Sequence, residues 1–126
     1  MDKMKPFYGN IEDKTRDNSN FRKVLFTGKL QLVLMSLKPG EEIGEETHKA
    51  DQFFRVEQGT AIFVINEDDV FIAKDGDAVV VPGGSLHNVI NKSKTSTLKL
   101  YTIYAPPEHP DKETKKTKKE AEEAEK

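Results

Sequence analysis

The stretch Gly76–Asn91, GDAVVVPGGSLHNVIN, decides how the rest of the chain is read. Its first half, around Val79–Val81, is β-branched and suits a short strand. Pro82 has no N–H to give to a ladder, so the strand ends there. Gly83 and Gly84 permit the positive backbone angles of a tight turn. The chain then reverses, and His87 projects from the start of the returning strand toward an interior.

Outward from this turn, Phe21 to Ala105 is a succession of short apolar runs: FRKVLFTG, LQLVLMSL, QFFRV, TAIFVI, DVFIA, DAVVVP, LHNVIN and LKLYTIY. All favour strand, and LKPGEE, EQGT, NEDD, AKDGD, PGGS and NKSKTS separate them as turns. Strands this short and regular, with no long helical pattern between them, predict an antiparallel sandwich or barrel. LQLVLMSL is apolar on both faces and belongs at the centre of a sheet, whereas FRKVLFTG reads as an edge.

The 126 residues allow one domain, with a formal charge of −2 that offers no basic field for nucleic acid. No cysteine is present, which excludes disulfides, thiolate metal sites and cysteine nucleophiles and is compatible with a reducing cytosol. MDKMKPFYGN lacks the apolar core of a signal peptide, and no run approaches the ~18 apolar residues of a spanning helix. The expectation is a cytoplasmic protein without a membrane partner. It divides into an N-terminal arm (1–20), a barrel (21–111) and a charged tail (112–126). The tail holds six lysines, five glutamates and no large apolar residue. A helix there would have no face to bury, and its lysine-first charge order opposes the helix dipole, so a frayed, solvated tail is the favoured reading, with a partner-binding helix as the minority alternative.

The spacing of the opening stretch, Gly-x5-Pro-x-Gly-x2-His-x3-Asn from Gly76 to Asn91, resembles the second signature of the cupin superfamily at every fixed position. The first cupin signature, Gly-x5-His-x-His, a glutamate after three or four residues and a glycine six later, is similar in spacing to Gly40–Gly59. Here Glu46-Thr47-His48 stands for the His-x-His, and Gln52 replaces the glutamate. The likeness covers roughly Leu30 to Pro106. The sixteen residues between Gly59 and Gly76 resemble compact microbial cupins, among them those loosely labelled mannose-6-phosphate-isomerase-like.

The resemblance implies an all-β jelly roll, the double-stranded β-helix barrel of cupins, carrying a short charged C-terminal tail. It also implies a metal site of Glu46, His48, Gln52 and His87. Glu46 and His48, two apart, leave the same face of a strand, and Gln52 returns to that face beyond a short kink. Such a nitrogen and oxygen set with open positions suits Fe(II), Mn(II), Ni(II) or Zn(II). Two bland alternatives stay open: Glu46 as one surface carboxylate among Glu41, Glu42 and Glu45, and Gln52 as a hydrogen-bond partner that orients His48.

Phe54 and Phe63 are assigned to the apolar wall of the cavity and Tyr101 to its hydroxyl. Of Tyr101 and Tyr104 only one can point inward, because they are an odd number of residues apart. His109 reads as a loop histidine at the barrel's end, away from the metal. Two functions follow from the resemblance. One is a metal-dependent enzyme of isomerase or dioxygenase type acting on a small polar molecule. The other is a non-catalytic small-ligand or sugar-binding module. A homodimer through an uncovered strand edge is expected for either.

Overall fold

β-Branched and aromatic runs alternating with glycine, proline and aspartate turns leave the chain few options but antiparallel sheet. The computed structural model describes residues 4–124, so residues 1–3 of the arm and 125–126 of the tail lie outside it. It shows a jelly roll with two short helices. The elements are α1 (Ile11–Asp17), β1 (Arg22–Thr27), β2 (Gln31–Leu37), β3 (Asp51–Gln58), β4 (Thr60–Ile65), β5 (Asp69–Lys74), β6 (Ala78–Val81), β7 (His87–Asn91), β8 (Leu98–Ala105), β9 (Thr114–Lys115) and α2 (Lys118–Ala124). One sheet has the order β6-β3-β8-β2-β1-β9, and the other β5-β4-β7.

The core lies between the sheets. The inward residues of β3 and β8, among them Phe54, Val56, Leu98 and Leu100, are buried, while their neighbours Phe53, Arg55, Lys99 and Tyr101 are more exposed. Each fully buried large side chain contributes about 1.5–3 kcal/mol. β2 is buried at all seven positions between β1 and β8, as its two-faced apolar run requires.

α1 closes the N-terminal arm over the outside of the larger sheet. The Asn10 side chain caps it by accepting from the Asp13 N–H at 2.9 Å, Thr15 is buried beneath it, and Lys99 on β8 donates to the Asn18 carbonyl.

Two expectations change. FRKVLFTG is not the edge, because β9 pairs outside it, Arg22 opposite Lys115 and Lys23 opposite Thr114. Nor is the described part of the tail frayed: α2 forms and Ala121 is buried in the core cluster. Backbone pairing holds β9, and an alanine suffices where no large apolar residue fits. Thr117 caps α2, its hydroxyl accepting from the Glu120 N–H at 3.1 Å, while the Glu120 carboxylate accepts from the Lys116 N–H at 2.9 Å. That Thr-x-x-Glu spacing is a helix-start signal outweighed in the sequence by the charge order.

The turn at Gly83 and Gly84 brings two backbone segments into close contact. Gly84 adopts φ +87° and donates its N–H to the His48 carbonyl at 2.8 Å. A Cβ on Gly83 would stand 2.3 Å from the Lys49 carbonyl oxygen, so only glycine lets the two segments meet. We expect Gly83→Ala to destabilise the fold by about 1–3 kcal/mol, read as a lower urea midpoint at unchanged m-value; an unchanged midpoint would show that the segments can separate freely.

Candidate metal centre

The site is assembled where three elements meet. The segment 41–46 runs beside β7 through isolated bridges, Glu42 with Ile90 and Glu46 with His87. Glu46 and His87 exchange both backbone hydrogen bonds at 2.9 Å, so their side chains leave the same face. His48 follows on the next same-face position. From the opposite sheet, β3 supplies Gln52, paired directly with Tyr104 on β8, which in turn pairs with Gln31 on β2.

Potential ligand atoms of Glu46, His48 and His87 all lie within 4.8 Å of one another. The His48 and His87 ring centroids are 5.4 Å apart. His87 Nδ1 is 3.0 Å from the Ser85 carbonyl, a contact that places the ring proton on Nδ1 and turns Nε2 toward the site. Gln52 Nε2 donates to Thr102 Oγ1 at 2.9 Å, and the Thr102 hydroxyl passes its own proton to the Phe53 carbonyl at 2.8 Å. The amide is thereby oriented, leaving Oε1 uncommitted. Among the described residues, His48 Nε2, His87 Nε2 and Gln52 Oε1 are the buried side-chain atoms without a hydrogen-bond partner. Each such atom costs about 1–3 kcal/mol, against a whole-domain stability of about 5–15 kcal/mol. Three together are a heavy burden unless they serve a ligand.

The charges follow the geometry. Burial pushes the Glu46 carboxyl up, but the nearby His48 first, then His87 and His109, outweigh it and hold its pKa below the ordinary value. Its carboxylate raises the pKa of His48, whose Nε2 is 3.6 Å away, with a smaller contribution from Glu108. Burial first, then the Glu46 charge with a smaller push from Glu108, drives the Tyr104 phenol well above the ordinary range, against the opposing pull of Arg22 and Gln52.

Phe54 lies against His87, ring centroids 6.2 Å apart, and stacks edge-on with Phe63 at 5.0 Å. Both belong to the buried core packed behind the histidines. Tyr101 is the exception: it stands on the outer face of β8 beside Phe53, centroids 6.1 Å apart. Strand alternation gives the inner position to Tyr104, whose ring lies 5.6 Å from His48. Arg55 also points outward, bonded to Glu57 at 2.6 Å.

The sequence reading placed His109 away from the site, and the structure reverses that. The segment after β8 folds across the barrel mouth. His109 Nε2 comes within 3.2 Å of the Tyr104 hydroxyl, and Glu108 within 3.4 Å of His48 Nδ1. Its anchor is Gln31, a buried side chain whose Oε1 accepts from the Glu108 and His109 N–H groups at 3.1 and 2.9 Å and whose Nε2 donates to the His109 carbonyl at 2.7 Å. Arg22 closes the far side through a 2.8 Å bond to Glu113. The mouth is a cavity of about 420 Å³ lined by Arg22, Glu46, Thr47, His48, Glu108 and His109, among others. Nothing in the run LQLVLMSL marks Gln31 as an anchor, and the spacing of PPEHP contains no pointer to a strand more than seventy residues earlier.

A model of the cupin domain family matches residues 33–104, and the chain belongs to that family. The chain is 48% identical over 112 residues to YrkC of Bacillus subtilis and 45% identical over 104 residues to L612 of Acanthamoeba polyphaga mimivirus, both described as uncharacterized. These matches take in 83% and 79% of this chain, but 60% and 65% of those proteins, so it spans less than two thirds of either. The crystal structure of BH2720 from Bacillus halodurans superposes with a TM-score of 0.91 at 43% identity, covering 94% of this chain and 95% of that one.

His109 yields a pH prediction for protein stripped of metal. Burial, then the Arg22 charge, lowers its pKa from 6.5 to about 4, with Glu113 and Glu46 opposing and His48 adding slightly. The unfolded chain therefore binds the proton first, and the neutral ring's stability is lost as pH falls from 6.5 toward 4. The shift corresponds to roughly 3 kcal/mol. We expect His109→Asn to flatten the decline of urea stability across that window; an unaltered slope would mean that His109 is solvated.

Proposed function

We propose that this cupin holds a divalent transition metal, Fe, Mn, Ni or Zn, through Glu46, His48, Gln52 and His87. The observation that carries the reading is that two buried, unpartnered imidazole nitrogens, His48 Nε2 and His87 Nε2, gather with the Glu46 carboxylate, while β3 on the other sheet carries a third such atom, Gln52 Oε1. Two imidazoles, a carboxylate and an amide oxygen suit these ions and disfavour Cu(I). When bound, such an ion supplies Lewis-acid polarisation of a polar ligand.

The chain's own groups do the rest. Ser85 fixes the His87 tautomer, and Thr102 fixes the Gln52 amide. Tyr104 stays a protonated phenol, and the buried Phe54 ring packs against His87. The cavity size supports a small polar molecule as the bound species. Isomerase-like or dioxygenase-like chemistry is the enzymatic form of this reading. The neutral amide at Gln52, where a carboxylate would bind metal harder, favours the second form, a small-ligand or sugar-binding module without turnover. The lack of cysteine agrees with a cytoplasmic setting, which we also propose; among the described residues no helix is long and apolar enough to cross a membrane.

Metal analysis by inductively coupled plasma tests the centre. The parent protein, incubated with each ion and desalted, should carry one equivalent of at least one of them. His48→Ala and His87→Ala should carry none, and Gln52→Leu should bind about tenfold more weakly, ~1.4 kcal/mol. A parent that retains none of the four ions contradicts the proposal.

A homodimer through β5 completes the proposal. With β9 over β1 and segment 41–46 beside β7, β5 remains an open edge with Val70, Phe71 and Ile72 about half exposed. Thr60 gives its carbonyl to Lys92 on the β7 side, so ladder alternation turns the backbone groups of Val70 and Ile72 toward the open edge. Two copies paired antiparallel about Phe71 would set Val70 against Ile72 and Asp68 against Lys74. Opposite charges meet in that register. Light scattering should show a dimer that Asp68→Lys weakens and Asp68→Lys with Lys74→Asp restores; a parent that is monomeric at all concentrations rules the edge out.

A further inference from the structure

The pairing of His48 with Glu108 is not accounted for by the four-residue centre. His48 has two ring nitrogens with different surroundings. Nε2 is buried, unpartnered and faces the cluster, while Nδ1 lies 3.4 Å from a Glu108 carboxylate oxygen. His87 has the same division, with the Ser85 carbonyl in the place of the carboxylate. Each histidine thus has an oxygen near its rear nitrogen, hydrogen-bonded at 3.0 Å in His87 and a longer charge contact at 3.4 Å in His48, and an unpartnered front nitrogen in the Glu46 cluster.

The two acceptors differ in how they are held. Ser85 belongs to the glycine turn and is fixed by it. Glu108 arrives on the segment that crosses the mouth, and that segment is held by Gln31. The Gln31 side chain is fully buried and uses both ends: its oxygen takes two N–H groups of the crossing segment, and its nitrogen gives to the His109 carbonyl and to Thr27 Oγ1. A buried amide satisfied at this many points fixes backbone position closely. Glu108 itself stays partly open to solvent, with its side chain 35% exposed. Its role is therefore not packing.

We infer that Glu108 is a positioning residue, which accepts the His48 Nδ1 proton and so keeps the Nε2 lone pair directed at the centre, and that Gln31 holds it there. The carboxylate orients the ring and increases the basicity of the nitrogen that faces inward. Because the carboxylate comes from the C-terminal crossing segment, the quality of the centre depends on closure of that segment. Truncation or displacement after Ala105 would loosen His48 without touching any of the four proposed ligands. The inference rests on the proposed metal centre for its purpose, but the His48–Glu108 contact involves no metal and can be read without one.

The test uses the full chain with Glu108→Ala, Glu108→Gln and Gln31→Ala. Long-range proton–nitrogen correlation spectra of the imidazole, recorded without metal at a pH where the ring is neutral, report the fraction of His48 carrying its proton on Nδ1. That fraction should fall in Glu108→Ala and in Gln31→Ala. It should return toward the parent in Glu108→Gln, whose amide oxygen still accepts. Competition with a chelator gives metal affinity, expected about 10–100-fold weaker in Glu108→Ala and close to the parent in Glu108→Gln. Unfolding midpoints should be unchanged for both Glu108 variants, which separates positioning from support of the fold. An unaltered tautomer in Glu108→Ala overturns the inference, as does unaltered affinity where the parent binds metal. A parent that binds no metal overturns the centre alone and leaves the tautomer measurement to decide Glu108.

Discussion

The reciprocal backbone hydrogen bonds between Glu46 and His87, both 2.9 Å, are the constraint on which the rest depends. They lock two segments some forty residues apart into one narrow antiparallel pair. Opposite residues of such a pair share a face, so the carboxylate and the imidazole have no choice but to stand together. The turn at Gly83 and Gly84 makes the pairing possible. Its close approach to the Lys49 carbonyl, and the Gly84 bond to the His48 carbonyl, carry the second histidine into the same space. Asn91, at the end of β7, ties the far end down: its amide reaches the carbonyls of Leu37, Lys38 and Ser96. Glycine, histidine and asparagine in the 76–91 stretch are thus three parts of one fastening, of which only the histidine faces the site.

The opposite sheet contributes through register rather than spacing. Gln52, Tyr104 and Gln31 form one row across β3, β8 and β2. All three are buried side chains with polar groups, a costly choice that would not persist without partners. Thr102 occupies Gln52 from one side, His109 meets Tyr104, and the crossing segment saturates Gln31. At one end of the row Gln52 leaves its oxygen unpaired, and at the other Gln31 holds a closing segment across the mouth.

Much of this was legible in the sequence, for a physical reason. Metal ligands on a jelly roll depend on short-range devices: a two-residue strand period, a proline that stops a ladder, glycines that allow a turn. Those leave marks in spacing, and the gathering of Glu46, His48 and His87 could be picked from it; that they and Gln52 hold a metal is the proposal. The choice between Tyr101 and Tyr104 could not, because alternation says that one faces in without saying which. Glu108, His109 and Gln31 were invisible for a different reason. Their association closes a loop of more than seventy residues, and no local propensity records such a contact. The charged tail misled because its charge order and lack of large apolar residues argue against an isolated helix, whereas edge pairing by β9 and one buried alanine are enough once a barrel is present.

The central claim is that the orphaned buried atoms are the inner surface of a metal site. Anomalous diffraction at the absorption edge of the bound ion, on crystals grown from metal-loaded protein, tests it most directly. The account predicts one strong peak about 2.0–2.2 Å from His48 Nε2, His87 Nε2 and a Glu46 carboxylate oxygen, with Gln52 Oε1 completing the set. No peak there, with ordered water bonded to both imidazoles and the amide instead, would contradict it.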